Sequence, residues 1–328
     1  MRVLVTGGLG FIGFAVAQRL VGAGHEVAVL TRGRPGDQVA LPGAEVLRAD
    51  LRDRDRLRDL VRRAVPEGVC HLAARTHVRE SFTDPLGHYD TNLVGTLSLL
   101  HALAHHTERT GRPVRLVAAS SAMVYGASDG RPIGEEHPAV PTSPYGASKL
   151  AAEQLIGCQA ATGALGAVSL RAFSAAGAVG SHGDADQRRI VPKALAVAAG
   201  LASELEINGD GSAVREFTHI ADIADAYLLA LGAAQPGAHR IYNLGSGRGV
   251  TVNDVVRTVE AVTGRPLEVT HRPRADEPAA LIADTRRIHA ELGWVAARSS
   301  IDQIIQDAWK AVSTHLPGDL APPPPESP

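Results

Sequence analysis

Three lysines stand in this 328-residue chain, Lys149, Lys193 and Lys310, against thirty arginines. One of them follows Tyr145 by four residues in the stretch SPYGASKLAAEQ (143–154). Residues at i and i+4 share one face of a helix, and Pro144 suits a first helical position. A phenol that titrates at about pH 10 is too weak a base at neutral pH to take a proton from an alcohol. A cation held beside it favours the phenolate. Lysine supplies a compact ammonium that also hydrogen-bonds hydroxyl groups, whereas arginine is a broad planar fork, so a working pair explains why position 149 is not Arg. A Tyr-x-x-x-Lys spacing alone is common. It gains meaning from a glycine-rich strand-turn-helix at the N-terminus and from a run that ends in serines, VRLVAASS (114–121).

That N-terminal segment, VTGGLGFIG (5–13), puts Gly7, Gly10 and Gly13 directly after an apolar strand and at the opening of an amphipathic helix. Glycines there permit a tight turn and let a pyrophosphate approach backbone N–H groups at the helix end, which is the dinucleotide-binding arrangement. A strand ending in an acid would select NAD, because a carboxylate binds ribose hydroxyls and repels a 2′-phosphate. The second strand ends instead in Thr31 and Arg32. Arg32 can pair with a 2′-phosphate or simply face solvent, so NAD and NADP both stay open. Asp50, at the end of the third strand, is an alternative contact for the adenine.

These residues need a scaffold. Short β-branched runs at 2–7, 25–32, 44–51, 68–74, 114–121 and 166–173 alternate with helical patterns at 13–24, 53–65, near 88–109 and about 144–161. Repeated strand-helix-strand order predicts an α/β fold, a Rossmann-type doubly wound parallel sheet. Beyond residue 174 the alternation fails. We expect a smaller α/β substrate-binding lobe formed by 174–213 and 246–316, with 1–173 and about 214–245 in the dinucleotide-binding domain. The end, LAPPPPESP, lacks the N–H donors for a helix or central strand, and 317–328 is expected to be a disordered Pro-rich tail.

A net charge of -2 and arginines that alternate with aspartates over 52–63 argue against a nucleic-acid partner. No apolar run reaches the roughly 18 residues of a membrane span, and no secretory leader precedes the first strand. Cys70 and Cys158 cannot form a disulfide framework, which favours a cytoplasmic location. His219 and the His105-His106 pair lack further ligands at metal spacing, so no metal site is expected.

The segments TGGLGFIG, ADL (49–51), HLAA (71–74), SSAMVYG (120–126) and SPYGASKLAAE resemble, in order and spacing, the extended short-chain dehydrogenase/reductase family. Over about residues 1–312 the chain is most similar to its nucleotide-sugar 4-epimerases. RAFSAAGA (171–178) and INGDGSAVREFTHIADIADAY (207–227) extend the likeness. The resemblance implies that Tyr145 is the general base and acid, that Lys149 holds the nicotinamide ribose, and that Ser121 bonds the reacting sugar oxygen. It implies a pyrophosphate site at Gly7, Gly10, Phe11, Ile12 and Gly13, and adenine contacts at Asp50 and Leu51. Leu72, Ala73, Ala74 and Asn92 would line the middle of the cofactor. On the substrate side it assigns Thr76, Ser121 and Ser174, with Arg215 and Arg274 on a diphosphate and Glu277 on the uridine ribose.

The activity implied is interconversion of UDP-linked sugars of the glucose/galactose type through a transient 4-keto sugar on bound NAD. A homodimer through the helices near 88–109 and 144–161 is also implied. Two departures bear on this. Related 4,6-dehydratases carry Asp-Glu after the catalytic hydroxyl residue, where this chain has Ala122-Met123, which argues against a dehydratase. Epimerases usually carry Phe-Asn where this chain has Phe173-Ser174. With Arg32, that keeps a second reading, an NADP-dependent ketoreductase or dehydrogenase of a keto sugar.

Overall fold

The computed structural model describes residues 1–33, 41–126, 130–273 and 280–314. The first half of the chain lays down β1 (Arg2–Thr6), α1 (Phe11–Gly22), β2 (Glu26–Thr31), β3 (Ala44–Arg48), α2 (Arg54–Ala64) and β4 (Gly68–His71). It continues through α3 (Val78–Thr83), α4 (Pro85–Tyr89), α5 (Gly95–Thr110), β5 (Val114–Ser121), α6 (Pro144–Ala161) and β6 (Leu165–Ala172). After three short strands, β7 (Ser174–Ala176), β8 (Ala178–Val179) and β9 (His182–Gly183), come α7 (Ile190–Ala198), β10 (Leu205–Asn208), β11 (Val214–His219), α8 (Ile220–Ala233) and β12 (His239–Leu244). The remainder holds β13 (Gly249–Thr251), α9 (Val252–Thr263), β14 (Val269–Arg272), β15 (Ala280–Leu281), α10 (Arg286–Leu292) and α11 (Ile301–Ser313).

Seven strands form one sheet in the order β12-β6-β5-β4-β1-β2-β3, every neighbouring pair parallel. This is the predicted doubly wound sheet. Strand order reverses between β1 and β4, and a parallel sheet opens a crevice at such a point. Alternate side chains leave a strand on opposite faces. Val3 and Val5 therefore join Val16, Leu20, Ile223 and Tyr227 under α1 and α8, while Leu4 packs with Leu57, Leu60, Leu99 and Ile156 under α2, α5 and α6. Each fully buried Leu or Val contributes roughly 1.5–3 kcal/mol of transfer free energy.

A separate apolar cluster, with Leu195, Leu205, Phe217, Val255, Ile304 and Trp309, gathers α7, β10, β11, α9 and α11 around a core of their own. Ile288 and Trp294 pack instead into the core under α1 and α8. Trp294 Nε1 donates to the Asp222 carbonyl at 2.8 Å, which ties the chain after α10 back to α8.

Two elements differ from the periodicity. The strand expected over 68–74 stops at His71, and the helix expected near 88–109 is divided. Its first part is α4; Asp90–Val94 then form a π turn before α5 begins. Gly95 follows that turn against Leu51, where an added Cβ would stand 3.1 Å from the Leu51 Cβ.

Candidate active site

The glycine turn between β1 and α1 is compressed where it meets the fold and open where it faces the crevice. Gly7 adopts φ +70, and a Cβ there would come within 2.8 Å of Ala73 backbone atoms. At Gly13 a Cβ would lie 2.1 Å from the Gly7 carbonyl oxygen, so neither position admits a side chain. Gly10 meets only that same oxygen, at 3.2 Å. It is the N-cap of α1 with no side-chain cap, and the first turn carries no acid. Phe11 and Ile12 begin the helix half-buried. The helix end thus presents unclaimed N–H groups and its positive pole to the crevice, which suits a diphosphate.

At the far end of the crevice, Thr31 Oγ1 accepts from Gly33 N at 3.2 Å, and Arg32 is exposed. The Asp50 carboxylate is engaged by Arg52, whose Nε and Nη2 donate at 2.9 and 2.8 Å. That fork, with Arg32 adding a smaller field, pulls the Asp50 carboxyl down to about 2. Leu51 beside it is buried.

Ser143 caps α6 by accepting from Gly146 N at 3.1 Å, and Pro144 occupies the first turn. This starts the helix so that Tyr145 and Lys149 face the end of β5, where Ser121 sits. All three are 8% exposed. Burial raises the Tyr145 phenol above its ordinary value, and a hydrogen bond with Ser121 and the positive charge of Arg189 act in the opposite direction. Burial also lowers the Lys149 ammonium to about 8, against the attraction of Glu153 one turn on. Lys149 is therefore an ammonium at neutral pH with a modest reserve. Ser121 Oγ also accepts from Met123 N at 3.2 Å, which fixes the turn after β5.

Beneath the pair lies a closed polar network. Thr96 Oγ1 donates to the Asn92 carbonyl at 2.6 Å, so it accepts from His71 Nε2 at 2.9 Å. His71 Nδ1 then accepts from Thr6 Oγ1 at 2.7 Å, and Thr6 in turn accepts from Ala73 N at 3.2 Å. This assigns the neutral Nε2-protonated tautomer to His71, and burial with the field of Lys149 lowers its pKa to about 3. The Asn92 side chain, presented by the π turn, accepts from Arg75 N at 2.8 Å and donates to the Arg75 carbonyl and to Ser148 Oγ at 3.0 and 2.9 Å. Leu72, Ala73 and Ala74 are held half-buried between these anchors. Asn92 thus fastens the segment after β4 to α6, and both of its amide hydrogens are spoken for.

The model of the NAD dependent epimerase/dehydratase family matches residues 3–245. The chain belongs to that family. The likeness extends over nearly the whole length. The UDP-glucose 4-epimerase of Streptomyces lividans is 40% identical, over 97% of this chain and 98% of that protein. Among solved structures, the UDP-glucose 4-epimerase of Stenotrophomonas maltophila, with bound NAD and formylated UDP-arabinopyranose, superposes with a TM-score of 0.87 at 33% identity, over 96% and 98% of the two chains. The Brucella ovis UDP-glucose 4-epimerase in complex with NAD gives 0.86 at 34% identity, over 94% and 97%.

In this epimerase/dehydratase chain the residues expected on the substrate side are spread along the rim. Thr76 and Ser174 are exposed, while Arg215 on β11 is half-buried and donates to the Val214 carbonyl at 2.8 Å. Arg274 and Glu277 lie outside the described residues. Next to Arg215, the buried Glu216 lies inside the quoted segment 207–227 without being singled out there. Its carboxylate accepts from Gly247 N at 2.9 Å and Ala283 N at 2.5 Å, and burial raises it to about 7. His71, Glu153, Arg171 and Arg189 were likewise not singled out. Three of these lie inside quoted segments, HLAA, SPYGASKLAAE and RAFSAAGA, so their place beside functional residues was visible, whereas their partners come from distant strands and loops.

Proposed function

We propose that the chain is a nucleotide-sugar 4-epimerase that interconverts UDP-glucose and UDP-galactose on a retained NAD. The observation that carries this is the buried trio of Tyr145, Lys149 and Ser121, brought together by the start of α6 and the end of β5 in the same parallel sheet whose β1 leads into the glycine turn. The full-length relatives named UDP-glucose 4-epimerase, and neighbours holding NAD and UDP-sugars, support it. The NADP-dependent ketoreductase is not favoured, because the relatives are named UDP-glucose 4-epimerase and the neighbours carry NAD.

In this reading Gly7, Gly10, Phe11, Ile12 and Gly13 hold the cofactor's diphosphate, and Lys149 holds its nicotinamide ribose. NAD held there supplies the uptake and return of a hydride at the sugar C4. The protein's own part is proton transfer and orientation. Tyr145 Oη takes the proton of the 4-hydroxyl, and the Ser121 hydroxyl bonds the same oxygen so that it stays aligned while a ketone exists. Lys149 stabilises the phenolate electrostatically. Arg215 grips the diphosphate by charge-assisted hydrogen bonds while the 4-keto sugar turns its other face, and Tyr145 then returns the proton. Ala122-Met123 after Ser121 leaves no acid-base pair there for dehydration.

We assign the substrate to the lobe cored by Leu205, Phe217 and Trp309. A homodimer belongs to this reading too, supported by Phe82 and Leu86, which stand 60% and 77% exposed just ahead of α5. So does a cytoplasmic location: Cys70 and Cys158 are both free thiols, and no helix among the described residues is long and apolar enough to cross a membrane.

The test is to denature purified protein, identify the dinucleotide released, and incubate native protein with UDP-glucose and no added cofactor. Released NAD together with UDP-galactose formation is the expected result. Protein that releases no NAD, takes up NADPH and leaves UDP-glucose unchanged would overturn the proposal.

A further inference from the structure

Tyr145, Lys149 and Glu153 fall at i, i+4 and i+8 on α6, a single stripe, and Glu153 is the most buried of the three at 4%. Arg171, on β6, clamps it with two parallel bonds, Nε to Oε2 at 3.1 Å and Nη2 to Oε1 at 2.5 Å, and is itself 5% exposed. The Arg171 guanidinium lies 4.8 Å from the centre of the Tyr125 ring. Tyr125 in turn donates to Asn243 Oδ1 at 2.6 Å. A buried ion pair is a poor source of stability, because apolar residues of the same volume do as well or better. Such a pair directly behind a catalytic lysine therefore asks for another role.

The groups facing this stripe narrow that role. His71 from β4 is neutral, and His88 from α4 sets its ring edge-on to Tyr145 at 6.5 Å. The π turn offers the uncharged Asn92. Glu80 of α3 is taken by Arg75. His239 of β12 bonds Ser169 at 2.9 Å, and Arg189 adds a positive charge near Tyr145. Glu153 is the carboxylate left to face Lys149.

We propose that Glu153, oriented by Arg171, is a positioning residue that keeps Lys149 an ammonium inside the closed site and so lets Tyr145 act as a base. Arg171 holds the carboxylate ionised and fixed while Lys149 draws on its field. The proposal rests on the catalytic reading of Tyr145 and Lys149, and its test is independent of turnover.

Lysine labelled with ¹³C at Cε gives three side-chain signals in this chain, and Lys149→Arg identifies the relevant one. In the NAD-saturated protein the Lys149 signal should titrate below the ordinary lysine value, because burial disfavours its charged form. In Glu153→Gln its midpoint should fall by about one pH unit or more, the size of shift an adjacent opposite charge produces. Glu153→Asp should restore most of it. Should Glu153→Gln fail to fold, Glu153→Met with Arg171→Met removes the carboxylate without stranding its cation, and a smaller fall in the same direction is expected. The alkaline limb of kcat should move down with the midpoint. A folded variant without the carboxylate whose Lys149 midpoint is unchanged would overturn the proposal. A chain that does not epimerise UDP-glucose would overturn the functional reading and leave the titration standing.

Discussion

The chemistry at residue scale turns on one phenol and one ammonium. Removing the Tyr145 hydroxyl should abolish proton transfer and leave the cofactor cradle intact. Tyr145→Phe should therefore lower kcat by about 10²–10⁴-fold, the range general acid–base groups contribute, with unchanged NAD content on denaturation. A similar loss of bound NAD would instead make Tyr145 a binding residue. A pH dependence follows from Lys149. Its ammonium, depressed to about 8 by burial, is charged below that pH and neutral above it. Turnover should therefore fall as pH rises through about 8, read from a kcat profile. A profile flat to pH 10 would contradict this. Tyr145, Lys149 and Ser121 were legible in the sequence as candidates, because spacing and flanking runs single them out, and the fold buries all three. The partners of Asp50 and Asn92 were not legible. The sequence sets both against the cofactor and is silent on the partners the fold adds: Arg52 for the Asp50 carboxylate, and residue 75 and Ser148 for the Asn92 amide. A polar side chain's spare capacity depends on what folding brings to it.

At the scale of elements, the turn between β1 and α1 separates packing from binding. A methyl group at Gly13 would collide with the Gly7 carbonyl oxygen at 2.1 Å, while one at Gly10 would reach that oxygen at 3.2 Å from the crevice side. Gly13→Ala should therefore unfold the turn and lower the melting temperature. Gly10→Ala should keep most stability and weaken NAD retention. Thermal melts with cofactor quantified on the same samples distinguish the two, and equal melting temperatures would contradict the account. The strands and long helices of the first half were legible from their alternation. The π turn at Asp90–Val94 was not, because an extra residue in a helical turn leaves the apolar pattern almost unchanged.

On the scale of the whole molecule, one sheet carries the glycine turn and the end of β5, and a second apolar core gathers α7, β10, β11, α9 and α11. The parallel, doubly wound character of the sheet was legible in the repeated strand-helix pattern, whereas the strand order and the edge strand β12 were not. The second lobe was harder to read, since its strands are short and pair across distant segments such as β10 with β14. It carries Arg215 on β11, with Glu216 binding the loop at Gly247 to Ala283, which bridges to Ile133 beyond β15. This division of labour implies that substrate stays gripped while its ketone turns, so the hydrogen removed from C4 returns to C4 of the same molecule. The most direct measurement of that claim is to give the protein UDP-glucose deuterated at C4, with no added cofactor, and examine the product by mass and NMR. The account predicts UDP-galactose with deuterium retained at C4. Product with protium at C4, or formed only when oxidised NAD is supplied, would contradict it.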